Sequence, residues 1–499
     1  MTAVTAPERA GAPADGAAVP HYLNFIAGEW RAASSGATFE NRNPADLSDL
    51  IGLFPDSGDE DVSAAVAGLA EAQAAWAAAS PEIRADLLYR AAEIISGRTK
   101  EIAAELTREE GKTLAEATNE TSRIAANFRF YAGEALRLKG ETYPMPGGQM
   151  ALSLRQPVGT VAVITPWNFP LSMAARKIAP ALAAGNAVVF KPSEMSPLMG
   201  QRLVEVLLDA GLPPGLIALV HGKGPTVGKA ITAADGIDAL TFTGSFAVGA
   251  QIQAALGTDT RCQLEMGGKN ATVVLADADL AKAAGIIKRG AFGLSGQACT
   301  GTSRVLVARP LHDALLAELV AAAEAVVTGP GDKAGVTMGP LATAAQLEKV
   351  ARYLDIAREE GAEIVTGGIP DQGALPEGYW IRPTVIAGVK PGSLLLKDEI
   401  FAPVVALCPF DTLDEALEIA DDTEYGLALS VVSDHLPSVL KIAEATQHGI
   451  VKVNAPTTGV ALNAPFGGFK HSSNQSAKEQ GGANVMDFYS RIKTVYLGA

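Results

Sequence analysis

Between residues 61 and 138, apolar positions recur at helical spacing. Residues 61–79 are Ala-rich and are expected to form one helix. Pro81 can open the next at its first turn. Residues 101–138 continue the period with an interruption near Gly111, and Pro144, Pro146, Gly147 and Gly148 end it. After Gln156 the texture changes. Short apolar runs at 160–164, 187–190, 217–220 and 239–242 alternate with helical stretches at 171–184, 199–210, 228–234 and 248–256. That alternation predicts a doubly wound parallel sheet, which binds nucleotides at the C-terminal ends of its strands. A second alternating region spans about 271–465, with strand candidates at 305–307, 363–365, 404–407 and 427–432. Residues 491–497 alternate polar and apolar like an edge strand.

Composition narrows the choices. The 499 residues correspond to about three lobes. The formal charge of −15 disfavours a non-specific nucleic-acid or anionic-membrane binder. Cys262, Cys299 and Cys408 cannot build a disulfide framework and fit a reducing, cytoplasmic setting. The six histidines show no metal-ligand spacing, so no metal site is expected. No run of 18 apolar residues occurs, and the first 20 residues are expected to be a flexible tail.

Cys299 is the candidate nucleophile, in Ser295-Gly-Gln-Ala-Cys-Thr300. Small neighbours leave its sulfur accessible, and a helix N-terminus nearby would favour the thiolate. Taken alone it reads better as a buried small hydrophobe, the reading kept for Cys262 and Cys408. Glu265, between Leu264 and Met266 and before Gly267-Gly268, is a candidate base or a solvated turn residue. Asn168, in Ile164-Thr-Pro-Trp-Asn-Phe-Pro170, can offer its amide to an oxyanion or form a turn. Lys191 and Glu194 follow a strand where a ribose would lie. Thr243-Gly-Ser-Phe-Ala-Val-Gly249 opens a helix where N–H groups can hold a pyrophosphate. His221-Gly-Lys-Gly-Pro-Thr-Val-Gly228 is a weak glycine signal.

These motifs, with Glu399-Ile-Phe-Ala-Pro403 and Pro465-Phe-Gly-Gly-Phe-Lys470, occur in one order. The chain from about 22 to 497 thereby resembles the NAD(P)-dependent aldehyde dehydrogenase superfamily. The most specific elements are Leu-Glu-Met-Gly-Gly-Lys and Gly-Gln-x-Cys, with Glu265 and Cys299 34 positions apart. The resemblance implies an α/β fold. It has a doubly wound parallel-sheet cofactor domain (21–138 and 158–266), an α/β catalytic domain (267–468) and a small β oligomerisation domain (139–157 and 484–497). It assigns Cys299 as nucleophile, Asn168 and the Cys299 N–H to the oxyanion, Glu265 to the hydrolytic water, and Lys177 and Glu479 to proton relay. It implies cofactor contacts from Thr165, Pro166, Trp167, Lys191, Ser193, Glu194, Gly224, Gly228, Phe242, Gly244, Ser245, Gly267, Glu399 and Phe401. Phe169, Arg176 and Phe466 would line the substrate.

Within the superfamily, CoA-acylating members typically lack the glutamate matched by Glu265, which favours hydrolysis. A non-catalytic structural member would commonly lose Cys299 or Glu265, and a thiol hydrolase would need no cofactor. Glu194 suits the ribose hydroxyls of NAD and repels a 2′-phosphate, so NAD is expected, with NADP tolerated. Dimers or dimers of dimers are expected, because the 491–497 edge would otherwise stay unpaired. Arg176 stands where succinate-semialdehyde dehydrogenases place a carboxylate-binding arginine, unless it turns to solvent or an internal acid. The tail from Pro465 through Glu479-Gln-Gly481 to Tyr489 resembles 2,5-dioxopentanoate (α-ketoglutaric semialdehyde) dehydrogenases. The expected substrate is 2,5-dioxopentanoate first and succinate semialdehyde second, with a neutral aliphatic or aromatic aldehyde as the alternative.

Overall fold

The computed structural model describes residues 19–370, 373, 375–475 and 481–498. Its organising element is a seven-stranded sheet. Five strands are parallel, in the spatial order Arg261–Glu265, Ala239–Thr243, Thr160–Ile164, Ala187–Lys191, Ile217–Leu219. In chain order this is 5-4-1-2-3, so the winding reverses between Thr160–Ile164 and Ala239–Thr243. A crevice opens outside the strand ends at such a reversal. Thr160–Ile164 and Ala187–Lys191 are buried along their whole length, as strands covered by helices on both faces must be.

Two short strands, Asn24–Ile26 and Glu29–Arg31, extend this sheet antiparallel beyond Ile217–Leu219. They and the hairpin Thr38–Asn43 with Asp46–Pro55 carry no strand signal in the sequence reading above. The helix expected over 61–79 is two helices, Asp59–Ala67 and Ala70–Ala78. Alanine favours either arrangement, and the break falls at Gly68, the C-cap of the first. Pro81 opens a 30-residue helix, Pro81–Glu110, and Gly111 stops it with a left-handed C-cap. Leu114–Arg137 follows, its start fixed by a capping box of Thr113 and Glu116.

A second seven-stranded sheet runs Glu363–Gly368, Arg382–Ala387, Val404–Phe410, Thr302–Ala308, Asn270–Val274, Ala428–Val432, Ile450–Val453. Only Glu363–Gly368 is antiparallel to its neighbour. Along Thr302–Ala308, Val305 and Val307 enter one apolar cluster and Leu306 and Ala308 the other, so both faces are packed. A three-stranded antiparallel sheet joins Thr142–Pro144, Met150–Pro157 and Ser490–Leu497, the last at its edge. No helix among the described residues is long and apolar enough to cross a membrane.

Candidate active site

Glu265 ends the strand Arg261–Glu265 and is buried, so it is no solvated turn residue. It is bridged antiparallel to Ser473, and the Met266 N–H donates to the Ser472 carbonyl at 2.9 Å. The chain around Pro465–Ser473 is thereby tied to the end of the first sheet. On the second sheet, Asn270 donates its amide to the carbonyls of Cys299 (2.8 Å) and Gly301 (2.9 Å). The start of Asn270–Val274 thus anchors the cysteine turn. Nothing in the sequence singled out Asn270, whose position directly after Leu264–Lys269 was the available signal.

The turn itself is unusual. Leu294, Ser295 and Gly296 all have positive φ, a run that only glycine adopts freely. A Cβ on Gly296 would lie 2.2 Å from the Ala402 carbonyl carbon. Side chains hold the conformation. Glu116 accepts the Leu294 N–H at 2.7 Å, Ser295 Oγ donates to the Gly339 carbonyl at 2.9 Å, and Ala342 N–H donates to Gln297 Oε1 at 3.0 Å.

No helix starts at Cys299, which corrects the expected source of thiolate stabilisation. The cysteine lies between a 3₁₀ turn, Gly293–Gly296, and the strand Thr302–Ala308. Burial pushes the Cys299 thiol up to about 12, and the charges of Glu399 and Glu265 push the same way. The N–H groups of Thr300 and Cys299 itself oppose them. The residue keeps some accessible surface although its sulfur is deep in the protein.

Asn168 is buried and donates one amide N–H to the Gln297 carbonyl at 2.8 Å, two residues from Cys299, which leaves a second N–H on the same nitrogen. Its own carbonyl accepts from Lys112 Nζ at 2.7 Å, and Lys112 also pairs with Glu120 at 2.6 Å. Glu120 in turn accepts the Leu171 and Ser172 N–H groups that open the helix Pro170–Ala183. Lys112 was not foreseen, because it lies 56 positions from Asn168 in a helix–helix connection without a motif. The same helix carries Arg176 and Lys177, both buried. Lys177 Nζ donates to Thr241 Oγ1 at 2.6 Å, and that hydroxyl donates to Gln263 Oε1 at 2.6 Å. Gln263 shares a strand face with Glu265. Glu479 lies outside the described residues.

The expected cofactor residues gather at the reversal crevice. Thr165 follows Ile164, and its buried Oγ1 has no partner among the described residues. Lys191 Nζ pairs with Glu194 at 3.2 Å, and the Gly224 N–H donates to the other Glu194 oxygen at 3.2 Å, in the turn Gly224–Gly228. Burial pushes the Glu194 carboxyl up, yet Lys191 and these hydrogen bonds outweigh it and hold it below the usual carboxylate range. Ser193 accepts the Met195 N–H. Ser245 caps the helix Phe246–Ala255, and Phe242 fills the space where a Cβ on Gly244 would sit. Across the crevice, Glu399 accepts the Gly268 N–H at 2.8 Å, and a Cβ on Gly267 would meet its carboxylate at 2.4 Å. Trp167, next to Pro166, meets Phe401 edge-to-face at 5.6 Å. Phe401 has φ of +61° and is held by Gln346, which accepts no part in the motifs but donates to the Ile400 and Phe401 carbonyls. An unpartnered hydroxyl, an ionised acid and side-chain-free glycines fit a dinucleotide. Phe169 precedes the helix Pro170–Ala183, with Lys112 4.9 Å from its ring centre, and Phe466 is buried.

Residues 30–495 match the model of the aldehyde dehydrogenase family. The chain belongs to this family. It is 41% identical to the alpha-ketoglutaric semialdehyde dehydrogenase of Bacillus subtilis, over 95% of this chain and 98% of that one. It is 38% identical to the 2,5-dioxopentanoate dehydrogenase of Saccharolobus solfataricus, over the same shares. Among solved structures it resembles betaine aldehyde dehydrogenase from Staphylococcus aureus in complex with NAD+. The TM-score there is 0.92 at 31% identity, covering 95% of this chain and 94% of that one.

Proposed function

We propose that this aldehyde dehydrogenase oxidises a short semialdehyde bearing a distal carboxylate, 2,5-dioxopentanoate first, to the acid with NAD. The observation that carries the reading is Arg176, buried in the second turn of the helix Pro170–Ala183 that follows the Asn168 loop. No carboxylate among the described residues pairs with it, so the internal-acid alternative loses support. A buried guanidinium with no counter-ion among the described residues suits a carboxylate brought by the substrate. Names of the two semialdehyde dehydrogenase relatives agree with that choice.

In this reading Cys299 adds to the aldehyde carbon and forms a thiohemiacetal. The free N–H of Asn168 and the Cys299 N–H stabilise the oxyanion. NAD, when bound, supplies the hydride acceptor. Glu265 takes a proton from the water that hydrolyses the Cys299 thioester. Lys177 donates to Thr241 and Thr241 to Gln263, two residues before that carboxylate, and Lys177 and Glu479 are assigned to carrying its proton away. Lys191 and Glu194 would hold the adenosine ribose, the Ser245 cap the pyrophosphate, and Glu399 the nicotinamide ribose. The first sheet serves the cofactor, the second carries the nucleophile, and the three-stranded sheet joins subunits into dimers or tetramers.

The test is a panel of 2,5-dioxopentanoate, succinate semialdehyde and pentanal with NAD and NADP. Arg176→Ala is expected to lower kcat/KM for both acids by about 10²-fold relative to pentanal, the worth of a buried charge-assisted pair. Equal efficiency on all three aldehydes in the parent enzyme would refute the carboxylate reading. An enzyme that works only with NADP would contradict the role given to Glu194.

A further inference from the structure

Between the helices Leu114–Arg137 and Pro170–Ala183 lies a pocket of about 60 Å³, lined in part by Arg123, Asn127, Ser172 and Arg176. Asn127 is 4% exposed, and neither its Nδ2 nor its Oδ1 has a hydrogen-bond partner among the described residues. Buried amides are almost always paired, so one with both ends open marks a place where a water or a ligand completes the bonding. Arg176 stands beside it, 7% exposed. Tyr131 and Arg123 lie near it, and no carboxylate among the described residues pairs with it. Arg123 Nη2 is spent on the Val460 carbonyl, which leaves Arg176 as the buried cation of the pocket.

The donor set defines the guest. A guanidinium only donates, and an amide nitrogen only donates. A carboxylate held bidentately by the Arg176 fork turns both oxygens to that side chain, and an oxygen on the adjoining carbon is then the one best placed to meet the Asn127 Nδ2. The volume admits a small polar group and not a further stretch of chain. A carbonyl on the carbon adjoining the carboxylate meets both demands. We infer that Asn127 is a specificity residue that donates to the 2-oxo oxygen of a semialdehyde whose carboxylate is held by Arg176. The enzyme thereby selects 2-oxo acids over their deoxo analogues of equal length. This rests on the proposed reading of Arg176 and goes beyond it, because the carboxylate clamp itself needs only Arg176.

The experiment compares 2,5-dioxopentanoate with 5-oxopentanoate, which differ only at that carbonyl, and with pentanal, which lacks the carboxylate as well. The parent enzyme is expected to favour the 2-oxo substrate over 5-oxopentanoate by about tenfold, the worth of one hydrogen bond to a site otherwise left unpaired. Asn127→Leu keeps the volume and removes the donor, and the ratio is expected to fall to about one. Because the carbonyl is remote from the reacting carbon, the loss should fall on KM more than on kcat. The ratio is insensitive to how much of the variant folds, since the active fraction cancels. A ratio near one in the parent enzyme, or one unchanged in Asn127→Leu, overturns the inference and means that water alone occupies the pocket. Arg176→Ala separates the two failures. If it lowers both acids against pentanal while Asn127→Leu spares the ratio, only the Asn127 inference falls. If it lowers neither, the carboxylate reading falls with it.

Discussion

At the scale of single residues, the chemistry turns on a thiol that the protein makes harder to ionise. Burial, then Glu399 and Glu265, hold the Cys299 thiol near 12. The thiolate is the alkylating form, so its fraction should rise tenfold per pH unit across the neutral range. Iodoacetamide labelling of the cofactor-free enzyme is expected to climb to about pH 9.5 without a plateau, where a free thiol of pKa about 8.5 has already levelled. Glu399→Gln removes one opposing charge and should speed labelling at fixed pH; a plateau near pH 8 in the parent enzyme would contradict the burial account. Glu265→Gln is expected to keep a single-turnover burst of NADH but to lose about 10²–10⁴-fold in steady turnover, the usual worth of a general base. Full steady turnover in that variant would remove Glu265 from the hydrolytic step. Cys299, Glu265 and Asn168 could be named as candidates from the sequence because their motifs are local and ordered. The state of the thiol was not, because it depends on Glu399, a hundred positions away, and on burial that no motif records.

Elements decide whether those residues face one another. Lys112 sits in the connection between two long helices, yet it holds both the Asn168 carbonyl and the acid that caps the next helix. Lys112→Met would strand the buried Glu120 carboxylate, and removing one partner of a buried pair typically costs about 3–5 kcal/mol. A large drop in urea midpoint together with a fall in kcat is expected; a stable variant with unchanged kcat would show that the Asn168 loop does not depend on this lysine. Parallel strands such as Thr160–Ile164, Ala187–Lys191 and Val404–Phe410 were readable from their short apolar runs, which two covered faces impose, whereas Arg261–Glu265, Asn270–Val274, Arg382–Ala387 and Ile450–Val453 were not among the strand candidates. Asn24–Ile26 and Glu29–Arg31 were not, since three residues on a sheet margin give no period to detect. The division of 61–79 into two helices was hidden for another reason: nearly every residue there suits a helix, so the break depends on Gly68 alone.

For the whole molecule, the open question is how its margins are closed. Ser490–Leu497 pairs with Met150–Pro157 over eight residues on one side and borders the sheet on the other. Its side chains at Ile492 and Tyr496 are 61% and 69% exposed, and Leu497 is exposed beside them. An eight-residue edge with apolar side chains invites pairing with another chain, and soluble proteins either blunt such edges or cover them. Arg491 and Lys493 charge its first half only, which restrains indiscriminate stacking while leaving the apolar second half free to join a defined partner surface. A second copy of the same chain is the simplest cover, because closed symmetric dimers bury like against like. Light scattering at micromolar concentration should therefore report at least a dimer. Ile492→Lys with Tyr496→Lys places two more charges on that edge and should shift the enzyme toward smaller species. A monomeric parent enzyme would mean that this strand tolerates exposure and that the three-stranded sheet has a role within its own subunit.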